Sequence, residues 1–129
     1  MRGELPPAEA ALEYDEELAR LAAESNEPLF RHDLLLLGLG PDGHTASLFP
    51  GTQALAEQTR GVIENFVPKL DTWRITFTYP LLNAARHVCF LAGKGKQQVI
   101  DEILAGGSGH PAEGVAPADG RVTWLVEAE

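Results

Sequence analysis

A carboxylate and an imidazole lie two residues apart in the most glycine-rich stretch of the sequence, at Asp42 and His44. A neutral imidazole is the usual general base near pH 7. A carboxylate beside it can orient the ring, fix its tautomer and stabilise the imidazolium that forms. The alternative is that Asp42 and His44 cap a short helix beginning at Thr45, since aspartate is a frequent N-cap residue. The two-residue spacing alone is compatible with either role.

The residues before this pair predict the element that positions it. Four consecutive leucines, residues 34–37, predict a strand over about 33–38 that is buried on both faces, as in a parallel sheet. The glycines that follow, Gly38, Gly40 and Gly43, favour a tight turn rather than a longer strand. We therefore expect the carboxylate and the imidazole at the carboxyl end of a strand, where open α/β sheets bind ligands.

The same glycines match the dinucleotide fingerprint, Gly38-x-Gly40-x-x-Gly43. Two features oppose a nucleotide site. Asp42 would place a carboxylate inside the pyrophosphate cradle, and Pro50-Gly51 ends any following helix after about two turns. We therefore do not expect this loop to bind a nucleotide.

Two basic residues, Lys69 and Arg74, flank a predicted loop between two strands in an otherwise acidic chain. Arginine binds phosphate through two parallel hydrogen bonds and lysine adds a point charge. The alternative is an ordinary solvated pair bonded to Asp71. The sequence leaves both interpretations open.

Metal and disulfide chemistry have little support. The chain has one cysteine, Cys89, so no internal disulfide is possible and a reducing compartment is favoured. The other histidines have no partners at metal-ligand spacing, and Ser47 lacks the surroundings of a nucleophile elbow. We expect no metal site and no serine nucleophile.

Length and charge limit the remaining classes of function. A chain of 129 residues predicts one domain, and its net charge of −9 argues against nucleic-acid binding. An anionic substrate would need a local basic cluster against this field. No apolar run approaches the ~20 residues that span a bilayer, and no signal peptide is visible. These features predict a cytoplasmic protein that binds neither membrane nor nucleic acid.

Apolar periodicity predicts alternating helices and strands. Helices are expected over 8–24 and 94–105, with short helical turns over 45–49 and 81–85. Strands are expected over 33–38, 61–67, 74–79, 87–92 and 121–126, and a loop over 108–120. This alternation predicts the α/β class.

The sequence resembles the 6-phosphogluconolactonase family over most of its length. The resemblance is carried by Leu36-Leu37-Gly38-Leu39-Gly40-Pro41-Asp42-Gly43-His44-Thr45-Ala46-Ser47-Leu48-Phe49-Pro50-Gly51, and continues in Pro68-Lys69, Arg74-Ile75-Thr76-Phe77-Thr78, Pro80–Val88 and Arg121–Leu125. Glucosamine-6-phosphate deaminases share the Gly-x-Gly-x-Asp-Gly-His core but continue with an Asn-Glu segment. This chain continues with Thr45–Phe49, the lactonase form.

The resemblance implies a Rossmann-like, mostly parallel sheet with flanking helices and the hydrolysis of 6-phospho-D-glucono-1,5-lactone. His44 would take a proton from water, with Asp42 supporting it, and the hydroxide would attack the lactone carbonyl. Backbone N–H groups of the loop, at Gly40 and Gly43, would contact the substrate and stabilise its oxyanion. Lys69 would help to bind the 6-phosphate. No cofactor is implied.

Arg74 would share the phosphate with that lysine, but the neighbouring sequence departs from the family. Leu70-Asp71-Thr72 stands where the family usually has prolines, and it adds an acid near the proposed phosphate contact. The match also covers only the C-terminal half of the family fold. We therefore expect a partial domain, active only with its other half, whose uncovered sheet promotes self-association. Two alternatives remain, a deaminase-type sugar-phosphate enzyme and a non-catalytic sugar-phosphate binding module.

Overall fold

The helices and strands alternate along the chain as the periodicity predicts. The computed structural model describes residues 1–128. The elements, in chain order, are α1 (Pro7–Glu24), β1 (Leu35–Gly38), β2 (Val62–Val67), β3 (Thr72–Phe77), α2 (Tyr79–Asn83), β4 (His87–Ala92), α3 (Gln97–Ala105) and β5 (Arg121–Val126). Single 3₁₀ turns lie at Gln53–Ala56, Pro68–Leu70 and Pro111–Gly114.

Three of the strands form a parallel sheet in the order β1-β4-β5. Leu36 of β1 lies opposite Cys89 of β4, and Phe90 of β4 lies opposite Trp124 of β5. The bounds of β4 and β5 agree with the prediction, while β1 begins two residues later than expected. The α/β class with a parallel sheet is confirmed.

The remaining strands, β2 and β3, form a separate antiparallel hairpin. Its turn is the 3₁₀ turn Pro68–Leu70 followed by Asp71, which has a positive φ of 46°. The strand predicted over 74–79 begins at Thr72 and ends at Phe77. It stops there because the Thr78 hydroxyl donates to the carbonyl of Arg60 at 2.6 Å and the chain turns into α2.

The sheet buries one face and exposes the other. Its inner face packs under α3, where Leu35, Leu37, Val88, Phe90 and Ile100 belong to one apolar cluster. The outer face carries exposed leucines, which are Leu34 (52%), Leu36 (60%), Leu91 (47%) and Leu125 (55%). The prediction that the leucine strand is buried on both faces is therefore wrong, because Leu34 and Leu36, on the outer face, are 52% and 60% exposed. This is unusual, since parallel sheets are normally covered on both sides.

Helix α1 packs on the hairpin through the apolar stripe that its sequence predicts. Leu18 contacts a second buried cluster that includes Val62 and Leu81. The carboxylate of Asp15 accepts hydrogen bonds from the backbone N–H groups of Gly61 (2.8 Å) and Val62 (2.9 Å), and so joins α1 to the start of β2. Within residues 1–128, no helix is both long enough and apolar enough to cross a bilayer.

Three predicted helical segments differ from the structure. The turn expected over 81–85 begins two residues earlier, as α2 (Tyr79–Asn83). The turn expected over 45–49 is not helical, because Thr45 and Leu48 pair as an isolated bridge with Ala46 at a positive φ of 50°. Helix α3 begins at Gln97 rather than at residue 94, because Gly95 adopts a φ of 77° that a helix does not allow.

Candidate active site

The loop after β1 folds back on itself and returns His44 to the end of the strand. The N–H of Gly40 donates to the carbonyl of His44 at 2.9 Å, and the N–H of Gly43 donates to the carbonyl of Gly40 at 3.0 Å. The buried hydroxyl of Thr45 then donates to the carbonyl of Gly38 at 2.8 Å. These bonds anchor the loop at both ends, so its position follows that of the buried strand.

Both loop glycines are required by space as well as by backbone conformation. A Cβ atom at Gly40 would lie 2.0 Å from Nδ1 of His44. Gly43 has a φ of 75°, and a Cβ there would lie 2.5 Å from the ring of His110. Because their N–H groups already bond within the loop, the structure shows these glycines shaping the site. Their direct contact with a substrate stays a prediction.

The carboxylate of Asp42 and the imidazole of His44 are in direct contact. Nδ1 of His44 lies 2.5 Å from Oδ1 of Asp42, and the backbone N–H of His44 donates to the same oxygen at 3.1 Å. The ring also stacks on Phe49, with 4.1 Å between centroids and 19° between planes. The alternative in which the pair caps a helix at Thr45 is wrong, because no helix begins there.

Lys69 reaches the other oxygen of the same carboxylate. Its Nζ contacts Oδ2 of Asp42 and lies 5.1 Å from the centroid of the Phe49 ring. The alternative that Lys69 pairs with Asp71 therefore does not describe the structure. The Lys69 side chain remains 52% exposed, which leaves room for a further partner.

The contacts of Asp42 decide its charge and the tautomer of His44. Partial burial by itself raises the pKa of Asp42, but the hydrogen bonds from Lys69 and His44 outweigh burial and hold that pKa well below its usual range. An ionised carboxylate can only accept hydrogen bonds, so Nδ1 of neutral His44 must carry the proton that it shares with Asp42. Nε2 then presents a lone pair, which is the state a general base requires.

Arg74 lies on the same hairpin but is not in contact with the Asp42–His44 pair. It stands on β3 opposite Asn65, and its side chain is exposed. Within residues 1–128 its guanidinium makes no side-chain hydrogen bond or ion pair. The structure therefore brings Lys69 to the pair and leaves Arg74 at the surface of the hairpin.

An asparagine that no sequence pattern singled out, Asn65, joins the hairpin to the loop. Asn65 is 1% exposed and donates from Nδ2 to the carbonyl of Ser47 at 2.9 Å and to the hydroxyl of Thr52 at 3.0 Å. Its Oδ1 accepts the N–H of Ala54 at 3.2 Å, while the Thr76 hydroxyl accepts the N–H of Ser47 at 3.0 Å. The sequence carries one indication of this role, because a polar residue buried inside the apolar strand 62–67 needs hydrogen-bond partners.

His110 was also missed. Its Nδ1 lies 3.3 Å from the carbonyl oxygen of Asp42, and the N–H of Ala112 donates to the carbonyl of Gly43 at 2.9 Å. The segment was predicted to be a loop, and no local pattern indicates that it packs against a loop more than sixty residues earlier in the chain.

The part of the chain that the structure describes contains no group of three or more His, Cys, Asp or Glu side chains placed to hold a metal ion.

Comparison with known proteins places this site in a family. Residues 1–124 match the family model described as glucosamine-6-phosphate isomerases/6-phosphogluconolactonase. The chain belongs to this family. Within the family, the chain is 42% identical over 128 residues to the human 6-phosphogluconolactonase. This match covers 96% of this chain and 49% of the human protein. It is 41% identical over 127 residues to the Synechocystis 6-phosphogluconolactonase, covering 95% and 52%.

Solved structures of the family confirm the fold. The 6-phosphogluconolactonase of Trypanosoma brucei superposes with a TM-score of 0.76 at 34% identity, covering 90% of this chain and 49% of that one. The Thermotoga maritima 6-phosphogluconolactonase gives 0.74 at 28% identity, covering 95% and 53%. The chain thus spans about half the length of the curated relatives it matches.

Proposed function

We propose that this chain is one α/β domain that supplies the general base for hydrolysis of 6-phospho-D-glucono-1,5-lactone to 6-phosphogluconate, a step of carbohydrate metabolism in the oxidative pentose phosphate pathway. The observation that carries this proposal is the 2.5 Å contact between Nδ1 of His44 and the Asp42 carboxylate. This contact leaves Nε2 as the proton acceptor. Membership of a family that contains 6-phosphogluconolactonases supports the choice of substrate.

The reaction follows from this arrangement. Nε2 of His44 accepts a proton from water as the water oxygen bonds to C1 of the lactone, and the carbonyl becomes an oxyanion. When the oxyanion collapses, the bond from C1 to the ring oxygen breaks, and the imidazolium returns its proton to that oxygen. Asp42 stabilises the imidazolium in between. A positioned general base of this kind contributes about 10²–10⁴ in rate.

Lys69 and Arg74 are proposed to bind the 6-phosphate. An ammonium group has three N–H donors, and only one of those on Lys69 is needed for Asp42. The exposed guanidinium of Arg74 is available for two parallel hydrogen bonds to phosphate oxygens. In a chain of net charge −9, two cations on one hairpin provide the local positive region that an anionic substrate needs. Gly40 and Gly43 would approach the lactone through their backbone.

One set of assays separates the possible activities. The chain is mixed with the N-terminal half of a 6-phosphogluconolactonase, because the resemblance predicts activity only with that half. The mixture is incubated with 6-phosphogluconolactone, and acid release is measured above the spontaneous rate. Parallel samples measure ammonia release from glucosamine 6-phosphate and binding of 6-phosphogluconate. We expect acid release without ammonia. Ammonia release would support the deaminase alternative, and binding without turnover of either substrate would support a binding module. Either result would contradict the proposal.

We also propose that the β1-β4-β5 sheet meets a second copy of this chain along the edge formed by β1. The leucines on the outer face of this sheet are 47–60% exposed, and within residues 1–128 β1 pairs with β4 alone, so its other edge is free. Two copies related by a twofold axis can pair these edges and bring Leu34 and Leu36 of each copy together.

The low cysteine content and negative charge continue to favour a cytoplasmic protein that does not bind nucleic acid.

A further inference from the structure

A second histidine packs against the loop that carries Asp42 and His44. The ring of His110 lies against the backbone of Gly43, so closely that a Cβ there would be 2.5 Å away. Its Nδ1 is 3.3 Å from the carbonyl oxygen of Asp42. The side chain is only 22% exposed. His110 therefore contacts the peptide that joins Asp42 to Gly43, and it reaches the Asp42–His44 pair through this backbone rather than through either side chain.

The opposite edge of the His110 ring is held by helix α3. Nε2 of His110 lies 2.6 Å from a carboxylate oxygen of Glu102. A carbonyl and a carboxylate thus face the two ring nitrogens, and both groups are acceptors. Neutral imidazole has one N–H, so only the imidazolium can donate to both partners at once.

The main chain that follows His110 is fixed independently of its ring. The N–H of Ala112 donates to the carbonyl of Gly43 at 2.9 Å, and the Tyr79 hydroxyl donates to the carbonyl of Pro111 at 2.6 Å. These bonds keep the segment against the catalytic loop in either charge state of His110. A change in that charge state therefore acts on the ring's own two hydrogen bonds.

We propose that His110 is a positioning residue, which as an imidazolium ties the Asp42–Gly43 peptide to Glu102 and so sets the direction in which Asp42 presents its carboxylate to His44. The inference rests on the proposed function, in which His44 is the general base. When His110 loses a proton, it keeps the bond to one acceptor and loses the other. The orientation of Asp42 then becomes less well defined.

The charges around His110 favour the imidazolium. The hydrogen bond to Glu102 raises the pKa of His110 above its ordinary value, against the opposing effect of burial, and Glu113 of the following turn adds attraction. The loop contributes only the carbonyl of Asp42, since the carboxylate of that residue faces His44 and Lys69. Because the pKa is raised on folding, the contribution is complete below about pH 6.5 and is lost as the pH rises through the higher folded value.

The contact between His110 and Glu102 is also weakened at low pH. The hydrogen bond from His110 lowers the pKa of Glu102. The contribution of this carboxylate is therefore present above its ordinary pKa of about 4.3 and is lost as the pH falls through the lower folded value. The positioning effect should be strongest between these two titrations.

The test combines side-chain nitrogen NMR with lactone kinetics on the variants Glu102→Gln and His110→Gln. The control is Asp101→Asn, which makes the same charge change as Glu102→Gln on the same helix. In the wild type we expect two N–H signals from His110 at about pH 6, and in Glu102→Gln the Nε2–H signal should broaden because an amide replaces its charged acceptor. Both test variants should broaden the Nδ1–H signal of His44. At pH 6 both variants should lower kcat about fivefold, which corresponds to the loss of one hydrogen bond, and should leave KM unchanged. At about pH 9 the kcat of each variant should approach that of the wild type. Asp101→Asn should behave as wild type.

A single N–H on wild-type His110 at pH 6, or a His44 signal and kcat that neither test variant alters, would overturn the positioning role. Glu102 is partly exposed, so Glu102→Gln keeps the test valid even if His110→Gln does not fold. The NMR signals need no turnover. If the wild type fails to hydrolyse the lactone, the proposed function fails while the positioning of His44 by His110 is still decided by the spectra.

Discussion

Nδ1 of His44 lies 2.5 Å from Oδ1 of Asp42, although the two residues are separated by a single glycine. Such a short connection is possible because the loop turns at Gly43 with a φ of 75° and because Gly40 leaves space for the ring. The same carboxylate is held from its other oxygen by Lys69. The orientation of the imidazole is therefore fixed by groups from the loop and from the hairpin together.

Replacing Asp42 with asparagine should remove the general base without removing the histidine. The amide can donate to Nδ1 of His44, which moves the ring proton to Nε2, the atom that must accept a proton from water. We expect kcat for lactone hydrolysis to fall by at least about a hundredfold, with little change in KM. A variant that keeps half of the wild-type kcat would show that the contact is structural rather than catalytic.

Arg74→Gln should weaken binding of the phosphorylated lactone. The guanidinium contacts neither Asp42 nor His44, so we expect KM to rise by about tenfold, as for the loss of one charged hydrogen bond, while kcat is retained. The unphosphorylated lactone should show no difference between the variant and the wild type. Asp71→Asn is a useful control, since it removes an acid beside the same turn and asparagine tolerates its positive φ. Its KM should move in the opposite direction.

The stability of the chain should depend on Asp42 in a defined pH range. The pKa of Asp42 is lowered on folding, so its ionised form contributes stability above the ordinary pKa of about 3.9, and this is lost as the pH falls through the lower folded value. We expect wild type to be more stable than Lys69→Met in urea unfolding at pH 7. The difference should shrink steadily below about pH 3.9. A difference that is constant down to about pH 2 would mean that Lys69 stabilises the fold by packing alone.

Leu36→Lys should prevent association of two copies. The leucine is 60% exposed at the free edge of the sheet, and a charge there opposes pairing of two edges. Light scattering after gel filtration should show a concentration-dependent dimer for the wild type and a monomer for the variant. The matched control is Leu104→Lys, at a leucine on α3 that is 65% exposed, and this variant should still dimerise. A wild-type monomer at all concentrations would exclude this interface.

Much of the fold was predictable because its signals are local. The apolar runs of β4 and β5 and the stripe of α1 each identify their element without knowledge of the neighbours. The four consecutive leucines at 34–37, three of which lie in β1, could not show which face is covered, because such a run is apolar on both sides. The predicted turn over 45–49 was wrong because the hydroxyl of Thr45 bonds to Gly38, a tertiary contact that local propensity does not describe.

The site was predictable to the same extent. Asp42 and His44 are close in sequence, so their spacing was informative. The contact from Lys69 depends on how the β2–β3 hairpin packs against the loop. The contact from His110 depends on a segment that was predicted only as a loop. Partners that are distant in sequence leave no local pattern, and only the folded chain shows them.

The most direct test of the central claim is the rate of lactone hydrolysis by His44→Ala, measured against the wild type after the spontaneous rate is subtracted. Binding of 6-phosphogluconate is measured on the same two samples. If Nε2 of His44 is the general base, kcat should fall by about 10²–10⁴ while 6-phosphogluconate still binds. Turnover by His44→Ala close to that of the wild type would contradict the assignment.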